Sequence, residues 1–284
     1  MADNLQIISL SKDNKELLTD FNHLLPANMS DAMSIWKFVG AIYDDTPCGI
    51  LAYILEDETI IPWIYVDEDF RRRQVGTQMF MYLQNELEDK LLFTGFSCEI
   101  VIDYDGGGLD LIGFFESIDA VDIAPKYCIY EVTPDIYKKT IAEHSIFNNP
   151  QKIMPSLLSD LPNYQIISFR NNPKVKERYH VDQISKWGES IDNDLSICIV
   201  ENDEVTSAIV ISDMGEDKMS VELLYANGTK SLVELLIAFG KALLNKNNGK
   251  SLIFRPVNEK IMELAEGLFP EINVYGEVWE ASDF

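Results

Sequence analysis

The chain has 284 residues, with 23 Lys and Arg against 47 Asp and Glu, a net charge of −24. Both parts are acidic, which argues against nucleic acid or an anionic membrane surface as a partner. Its length suits one or two domains, and no run of about 18 apolar residues is present to span a bilayer; 232–244 is interrupted by Glu234 and Lys241.

In chain order, 37–43 reads as a strand, 44–47 as a turn and 48–55 as its antiparallel partner. An acidic turn at 56–58 leads into a strand at 60–66, and a second acidic turn follows at 67–69. The run Arg71-Arg72-Arg73-Gln74-Val75-Gly76-Thr77 then opens an amphipathic helix with Val75, Met79, Tyr82, Leu83 and Leu87 on one stripe. Residues 97–103 form a β-rich run, the glycines at 106–108 break it, 109–118 is a short helix and 127–132 a final strand. Pro62 inside the 60–66 strand cannot donate to a ladder, so an edge, a bulge or a place where pairing stops is expected there.

The arginine run carries the most chemistry. A helix mouth leaves its first N–H groups unpaired and partly positive, which suits phosphate. Guanidinium groups add charge-assisted bonds, and Gly76 would let a bulky anion approach the backbone. In so acidic a chain this basic island is the natural place for an anionic cofactor.

A strand, an acidic turn and R-x-x-G-x-G opening a helix resemble the pyrophosphate loop of the GNAT (N-acetyltransferase) superfamily. Arg71 matches the leading Arg or Gln and Gly76 the second glycine, while Gln74 stands where the first glycine is usual. The element order is similar as well. The resemblance implies an α/β (α+β) fold with a mixed, mostly antiparallel central sheet flanked by helices. It implies acetyl-CoA (acyl-CoA) as acyl donor, lying in a wedge between the fourth and fifth strands. Backbone groups of Tyr65 and Val66 would pair with the pantetheine arm, and the amides of Arg73, Gln74, Val75, Gly76 and Thr77 would hold the pyrophosphate, with Arg71 and Arg72 alongside. It further implies direct attack of an amine on the thioester in a ternary complex, helped by a base near the fourth strand and a tyrosine on the late helix.

Here that tyrosine slot falls on Phe115, which cannot donate a proton, and the middle of the fourth strand holds Ile60 and Ile61. Glu56 and Glu58 lie at its approach; Asp103 and Tyr104 end the fifth strand. Glu58, Asp103 and Tyr104 are the catalytic candidates, though each residue type in such a place is more often a solvated turn or strand end.

The phrase Asn4-Leu5-Gln6-Ile7-Ile8-Ser9-Leu10 recurs as Asn163-Tyr164-Gln165-Ile166-Ile167-Ser168-Phe169. Downstream come strands at 197–200, 205–212 and 219–225, a helix at 231–244, a strand at 252–255, a helix at 259–268 and a strand at 273–280, the order of the first half. A duplicated domain is expected: a GNAT-like acyl-CoA-binding domain over 1–135, a structured connector over 136–162 with a helix around 135–144, and a degenerate GNAT-like copy over 163–284. The second copy has only Ala226-Asn227-Gly228-Thr229-Lys230 before its helix, with no arginine, so it is read as scaffold or as a wall of the acceptor site.

Cys48, Cys98, Cys128 and Cys198 are widely spaced in strand-like runs, without zinc-ligand spacing, so reduced core thiols and no metal are expected. Cys98 as a nucleophile is disfavoured by Glu99 beside it. His23, His144 and His180 are too scattered to make a ligand set. The start, Met1-Ala2-Asp3-Asn4, has no basic n-region or apolar core, so a cytoplasmic protein without a signal peptide is expected. Two functions fit: an N-acyltransferase acting on a small-molecule or peptide amine, or a GNAT shell that binds acyl-CoA or a partner without catalysis.

Overall fold

In a computed structural model the chain is described apart from residues 1–3, 11–14, 26–35, 56–58, 90–94, 104–107, 119–120, 177–190, 216, 247–248, 257–258 and 284. For Lys15, Glu16, Asp89, Asp103 and Lys176 the backbone alone is described. Contacts divide it into two units: residues 1–126 together with 277–284, and residues 127–276.

The first unit runs β1 (Leu5–Leu10), α1 (Lys15–Asp20), β2 (Lys37–Tyr43), β3 (Thr46–Leu55), β4 (Thr59–Val66), α2 (Val75–Asp89), β5 (Phe96–Asp103), α3 (Leu109–Glu116) and the start of β6 (Asp122–Val132). Its strands lie in the order β1-β2-β3-β4-β5, antiparallel as far as β4 and parallel between β4 and β5. Asp44 and Asp45 turn the β2–β3 hairpin at φ 47° and 62°, the left-handed pair that a tight hairpin of matching twist requires and that aspartate tolerates.

The helical stripe read from the sequence is the buried one. Val75, Met79, Leu83 and Leu87 are buried against the sheet and Tyr82 is partly so. Each such side chain contributes about 1.5–3 kcal/mol on leaving water. A Cβ on Gly49 of β3 would stand 3.0 Å from Met79 and 3.1 Å from Val75, so this glycine lets the first turns of α2 settle onto the sheet. The end of the chain completes this core: Ala281 is buried in it and Trp279 packs against it. Asp283 Oδ1 accepts from the Phe96 N–H at 2.6 Å.

The second unit takes up β6 and continues through α4 (Pro134–Glu143), β7 (Ser156–Leu157), α5 (Asn163–Arg170), α6 (Pro173–Lys176), β8 (Ile197–Glu201), β9 (Glu204–Asp213), β10 (Lys218–Ala226), α7 (Thr229–Lys246), β11 (Ser251–Phe254), α8 (Glu259–Leu268) and β12 (Asn273–Ser282). From residue 277 onward β12 belongs to the first unit. Its strands lie in the order β6-β11-β10-β9-β8-β7, with the β10–β11 pair parallel.

From β8 onward this unit repeats the first from β2 onward. Asn202 and Asp203 turn the β8–β9 hairpin at φ 52° and 67°, as Asp44 and Asp45 do in the first unit. β4 and β10 each carry one residue more than the strand they face, at Ile61–Pro62 and at Glu222. Pro62 thus sits in a β-bulge, one of the few places in a sheet that need no N–H donor.

The recurring seven-residue phrase does not belong to that repeat. In the first unit it is β1; in the second it is the helix α5. Pro162 starts the helix with its carbonyl accepting from Gln165 N–H at 3.0 Å. Gln165 and Phe169, four apart, are the buried positions, and the Gln165 amide donates to Asp203 Oδ1 at 2.6 Å. Burial at helical spacing overrode the β-branched content of the phrase. The 136–162 segment, expected as a connector, packs as part of the second unit through α4, whereas 277–284, expected in the second copy, packs with the first.

Candidate functional site

Two parting strands and the loop that follows them make the site. β4 and β5 pair at Thr59 with Phe96 and at Ile60 with Ser97, and the ladder stops there. On its other edge β4 stays paired to β3 as far as Val66 opposite Gly49. From the bulge to Val66, β4 therefore has an edge turned toward β5 without a ladder partner in it, and Tyr65 and Val66 lie at its end.

Beyond Val66 the Asp67 N–H donates to Cys48 O at 2.9 Å, and Asp67 Oδ1 accepts from Asp69 N–H at 3.0 Å, closing a short 3-10 turn over Glu68–Phe70. Arg72 and Gln74 both stand at φ 63°. Left-handed residues alternating with others are the backbone pattern from which anion-binding concavities are built. Gln74 O accepts from Gln78 N–H at 2.9 Å, so the N–H groups of Val75, Gly76 and Thr77 fall in the first turn, with no intrahelical acceptor. The glycine usual at position 74 in the resembling motif has a cause here: its φ is one that an L side chain adopts at a cost of about 1–2 kcal/mol.

Gly76 has a packing role beside the one expected. A Cβ there would lie 3.0 Å from the ring of Phe114 on α3, so the missing side chain makes room for that ring.

The three arginines also separate by role. Arg71 is engaged: its Nε donates to Val66 O at 3.1 Å, its Nη1 meets Asp110 Oδ2 at 3.0 Å, and its guanidinium lies 5.7 Å from the Tyr65 ring centroid. Tyr65 in turn stacks on Trp63, whose indole N–H donates to Leu24 O at 3.0 Å. Arg73 lies 5.5 Å from the Tyr43 centroid and 5.4 Å from that of Phe70. Arg72 has no hydrogen-bond, ion-pair or ring partner among the described residues. It lines an open cleft of about 530 Å³ with Leu5, Ile7, Tyr43, Arg73, Gln74 and Gln78. Asp110, Phe114, Tyr43 and Phe70 are absent from the sequence reading. Asp110 stands 39 positions from Arg71, and no local pattern links them.

Of the catalytic candidates, Glu58 and Tyr104 lie outside the described residues, as does the side chain of Asp103. Phe115 is fully buried, with its ring 5.8 Å from Phe96 and 6.1 Å from Phe80. The tyrosine slot is thus core. Cys98 is equally inert: burial, and then the neighbouring Glu99, push its thiol up to about 12. Among the described residues no group of His, Cys, Asp and Glu could hold a metal ion, and no helix is long and apolar enough to cross a membrane.

The equivalent corner of the second unit is built differently. β10 and β11 pair over four positions, Lys218–Val221 with Ser251–Phe254. The turn at Asn227-Gly228 leads straight into α7, with Ser231 Oγ donating to Gly228 O at 3.0 Å. Neither a left-handed non-glycine residue nor an arginine stands there.

Residues 11–107 match the model of the acetyltransferase (GNAT) family. No curated protein matches the chain. Among solved structures, a tandem GNAT protein from the clavulanic acid biosynthesis pathway is similar over 98% of this chain and 98% of its own, at 11% identity and a TM-score of 0.61. A GCN5-related glucosamine N-acetyltransferase region in a fungal multi-domain GH3 β-N-acetylglucosaminidase is similar over all of this chain, which spans 38% of that longer one, at 11% identity and a TM-score of 0.62. A GCN5-related N-acetyltransferase from Anabaena variabilis is similar over 98% of this chain and 72% of its own, at 10% identity and a TM-score of 0.58. At such identities the likeness is one of fold. The family match covers the arginine loop and its flanking strands, and the likeness of fold to GNAT proteins, a tandem two-domain one among them, extends over the whole chain.

Proposed function

We infer that the first unit binds acyl-CoA, with acetyl-CoA the simplest case, and passes the acyl group to a small-molecule or peptide amine. One observation carries the reading: two strands part after two paired positions, directly before a loop whose left-handed residues and unpaired amides suit a diphosphate. Acyl-CoA supplies a thioester whose carbonyl an amine attacks, the C–N bond forming as the C–S bond breaks and the amine proton passing to the thiol. The amides of Arg73 to Thr77 would bind the diphosphate, and the edge of β4 at Tyr65 and Val66, which has no ladder partner in β5, would orient the arm beside it. Holding donor and acceptor in line supplies much of the rate without a side-chain acid. The strongly acidic surface suits a cationic amine. A cytoplasmic setting agrees with four cysteines that form no disulfide. The second unit would serve as scaffold.

Binding without transfer is the second reading, favoured by the buried Phe115 in the acid's place. Calorimetry with acetyl-CoA tests the premise of both: saturable binding is expected, weakened strongly in the Arg71→Ala/Arg73→Ala double variant. An absence of binding at near-millimolar acetyl-CoA rejects both readings. Thiol release with a panel of polyamines, amino acids and peptides then separates them, since a mere binder releases none.

A further inference from the structure

The second unit encloses a cavity that a scaffold has no use for. It lies among α4, a 3-10 turn at Ser145–Asn148, α7, α8 and the strands β6, β9, β10 and β11. β7 pairs with β8 as β1 pairs with β2, and α4 and the turn come before β7. Two of the walls therefore have no counterpart in the first unit. The cavity measures about 50 Å³, roughly three to five times the room that one water needs. Ile141, Phe147, Phe254, Leu264 and Phe269 are the half-buried residues of its lining, so the way in runs between them. Phe147 lies over α7 where Gly240 leaves space: a Cβ on that glycine would stand 2.8 Å from its ring.

Every side chain of the lining is hydrocarbon apart from one oxygen, the hydroxyl of Tyr137. Tyr137 is fully buried, and its hydroxyl has no hydrogen-bond partner among the described residues. An orphaned hydroxyl weakens a fold, and phenylalanine would pack the same space without one. Water is a poor answer, because a buried water needs two to four polar partners and this lining supplies one. A hydrocarbon guest would leave the hydroxyl as orphaned as before. A charged guest would lose its hydration with no counter-charge on any lining side chain. A compact hydrocarbon body bearing a single acceptor oxygen satisfies both parts of the lining. We propose that this cavity binds a small uncharged carbonyl compound, a ketone or ester of about four to six heavy atoms, whose oxygen accepts from the Tyr137 O–H. The proposal does not rest on the acyl-CoA reading, and it gives the second unit a ligand of its own.

The test is an NMR titration of the methyl-labelled full chain with butanone, in the wild type, Tyr137→Phe and Ala265→Leu, with thermal unfolding of each. Ala265 is buried and lines the cavity, so a longer side chain there occupies the space. Expected in the wild type are saturable shifts of the Leu236, Leu243 and Leu252 methyls, all part of the lining. In Tyr137→Phe butanone should bind about three- to tenfold more weakly, while xenon, which needs no hydrogen bond, binds both proteins alike. The melting temperature of Tyr137→Phe should be no lower than that of the wild type. Ala265→Leu should bind neither probe; if it does not fold, Ala265→Val is read in its place, with weakened binding expected. An absence of saturable shifts in the wild type at about 50 mM butanone overturns the proposal. Equal butanone affinity in the wild type and Tyr137→Phe does so too, as does binding that survives the filled cavity unchanged. A lower melting temperature for Tyr137→Phe would mean that the hydroxyl already has a partner, and would also overturn it. Butanone binding in a protein indifferent to acetyl-CoA would reject the acyl-CoA reading and keep the cavity, and acetyl-CoA binding without butanone binding would do the reverse.

Discussion

Asp110, at the start of α3, holds the guanidinium of Arg71 at 3.0 Å, while the same guanidinium donates to the backbone oxygen of Val66. The pair ties the end of β4 to α3 and sets a carboxylate beside a loop whose backbone favours anions. Arg71, the residue that best matches the motif, thereby also braces the loop.

For Asp110→Asn, acetyl-CoA affinity is expected to rise roughly two- to tenfold at low ionic strength, with the gain shrinking as salt is added. The ion pair is solvent-exposed, with side-chain exposures of 38% and 85%, so stability should change by no more than about 1 kcal/mol. Calorimetry over a salt series checks this; a fall in affinity would mean that Asp110 is needed to hold Arg71 in its working position.

At position 74 a glutamine occupies a left-handed conformation. Gln74→Gly relieves a strain of about 1–2 kcal/mol and adds about 0.5–1 kcal/mol of unfolded-state entropy, so a net gain of up to about 1.5 kcal/mol is expected. Gln74→Val should do the opposite. Urea unfolding of the three proteins decides it, and a glycine variant less stable than wild type would mean that the Gln74 side chain is itself holding the loop.

Phe115→Tyr would restore the hydroxyl that the family motif expects. The site is a sealed aromatic cluster of Phe80, Phe96 and Phe115, so the new hydroxyl would be buried, at a cost of about 1–3 kcal/mol where it finds no partner. Lower thermal stability and no faster thiol release are expected. A rate increase would show that the ring can turn toward the wedge.

In the second unit, Glu234 accepts hydrogen bonds from the backbone N–H groups of Lys152 at 2.8 Å and Ile153 at 3.2 Å. These bonds, that of Lys152 first, hold its carboxyl below its ordinary 4.5. The unfolded chain therefore takes up the proton first on acidification. The stabilisation is complete above pH 4.5 and is lost as the pH falls through the folded value. Glu234→Gln should cost about 1 kcal/mol at pH 7, and the gap between the two proteins should close in acid. Urea unfolding at pH 7 and below pH 4 reads it directly; a gap that stays constant would deny the carboxylate this role.

Much of this architecture is visible without coordinates because hydrophobic spacing is a local property. The stripe Val75, Met79, Leu83, Leu87 repeats every turn, and it is the face that α2 buries. The runs that became β2, β4, β10 and α8 are bounded by acidic, glycine or proline punctuation, and Pro62 announces an irregularity where the bulge is found. The arginine loop is legible for the same reason. The phrase 163–169 misled because a short apolar stretch serves strand and helix equally, and its neighbours, Pro162 before it and Asp203 across from Gln165, chose the helix.

Sequence alone therefore determined the order of elements from β2 to β6 and from β8 to β12, the buried stripe of the site helix, the acidic background and the basic loop set against it, each written in residues a few positions apart. Tertiary structure alone decided which arginine is engaged and which is not, that Phe114 fills the space beside Gly76, and that the stretch from 277 completes the first unit. Each of these joins residues tens to nearly two hundred positions apart, and the Asp283–Phe96 bond alone closes a span of 187. No local propensity encodes such a meeting; it follows from the packing of whole elements, which brings distant polar groups within hydrogen-bonding reach only once the core has formed.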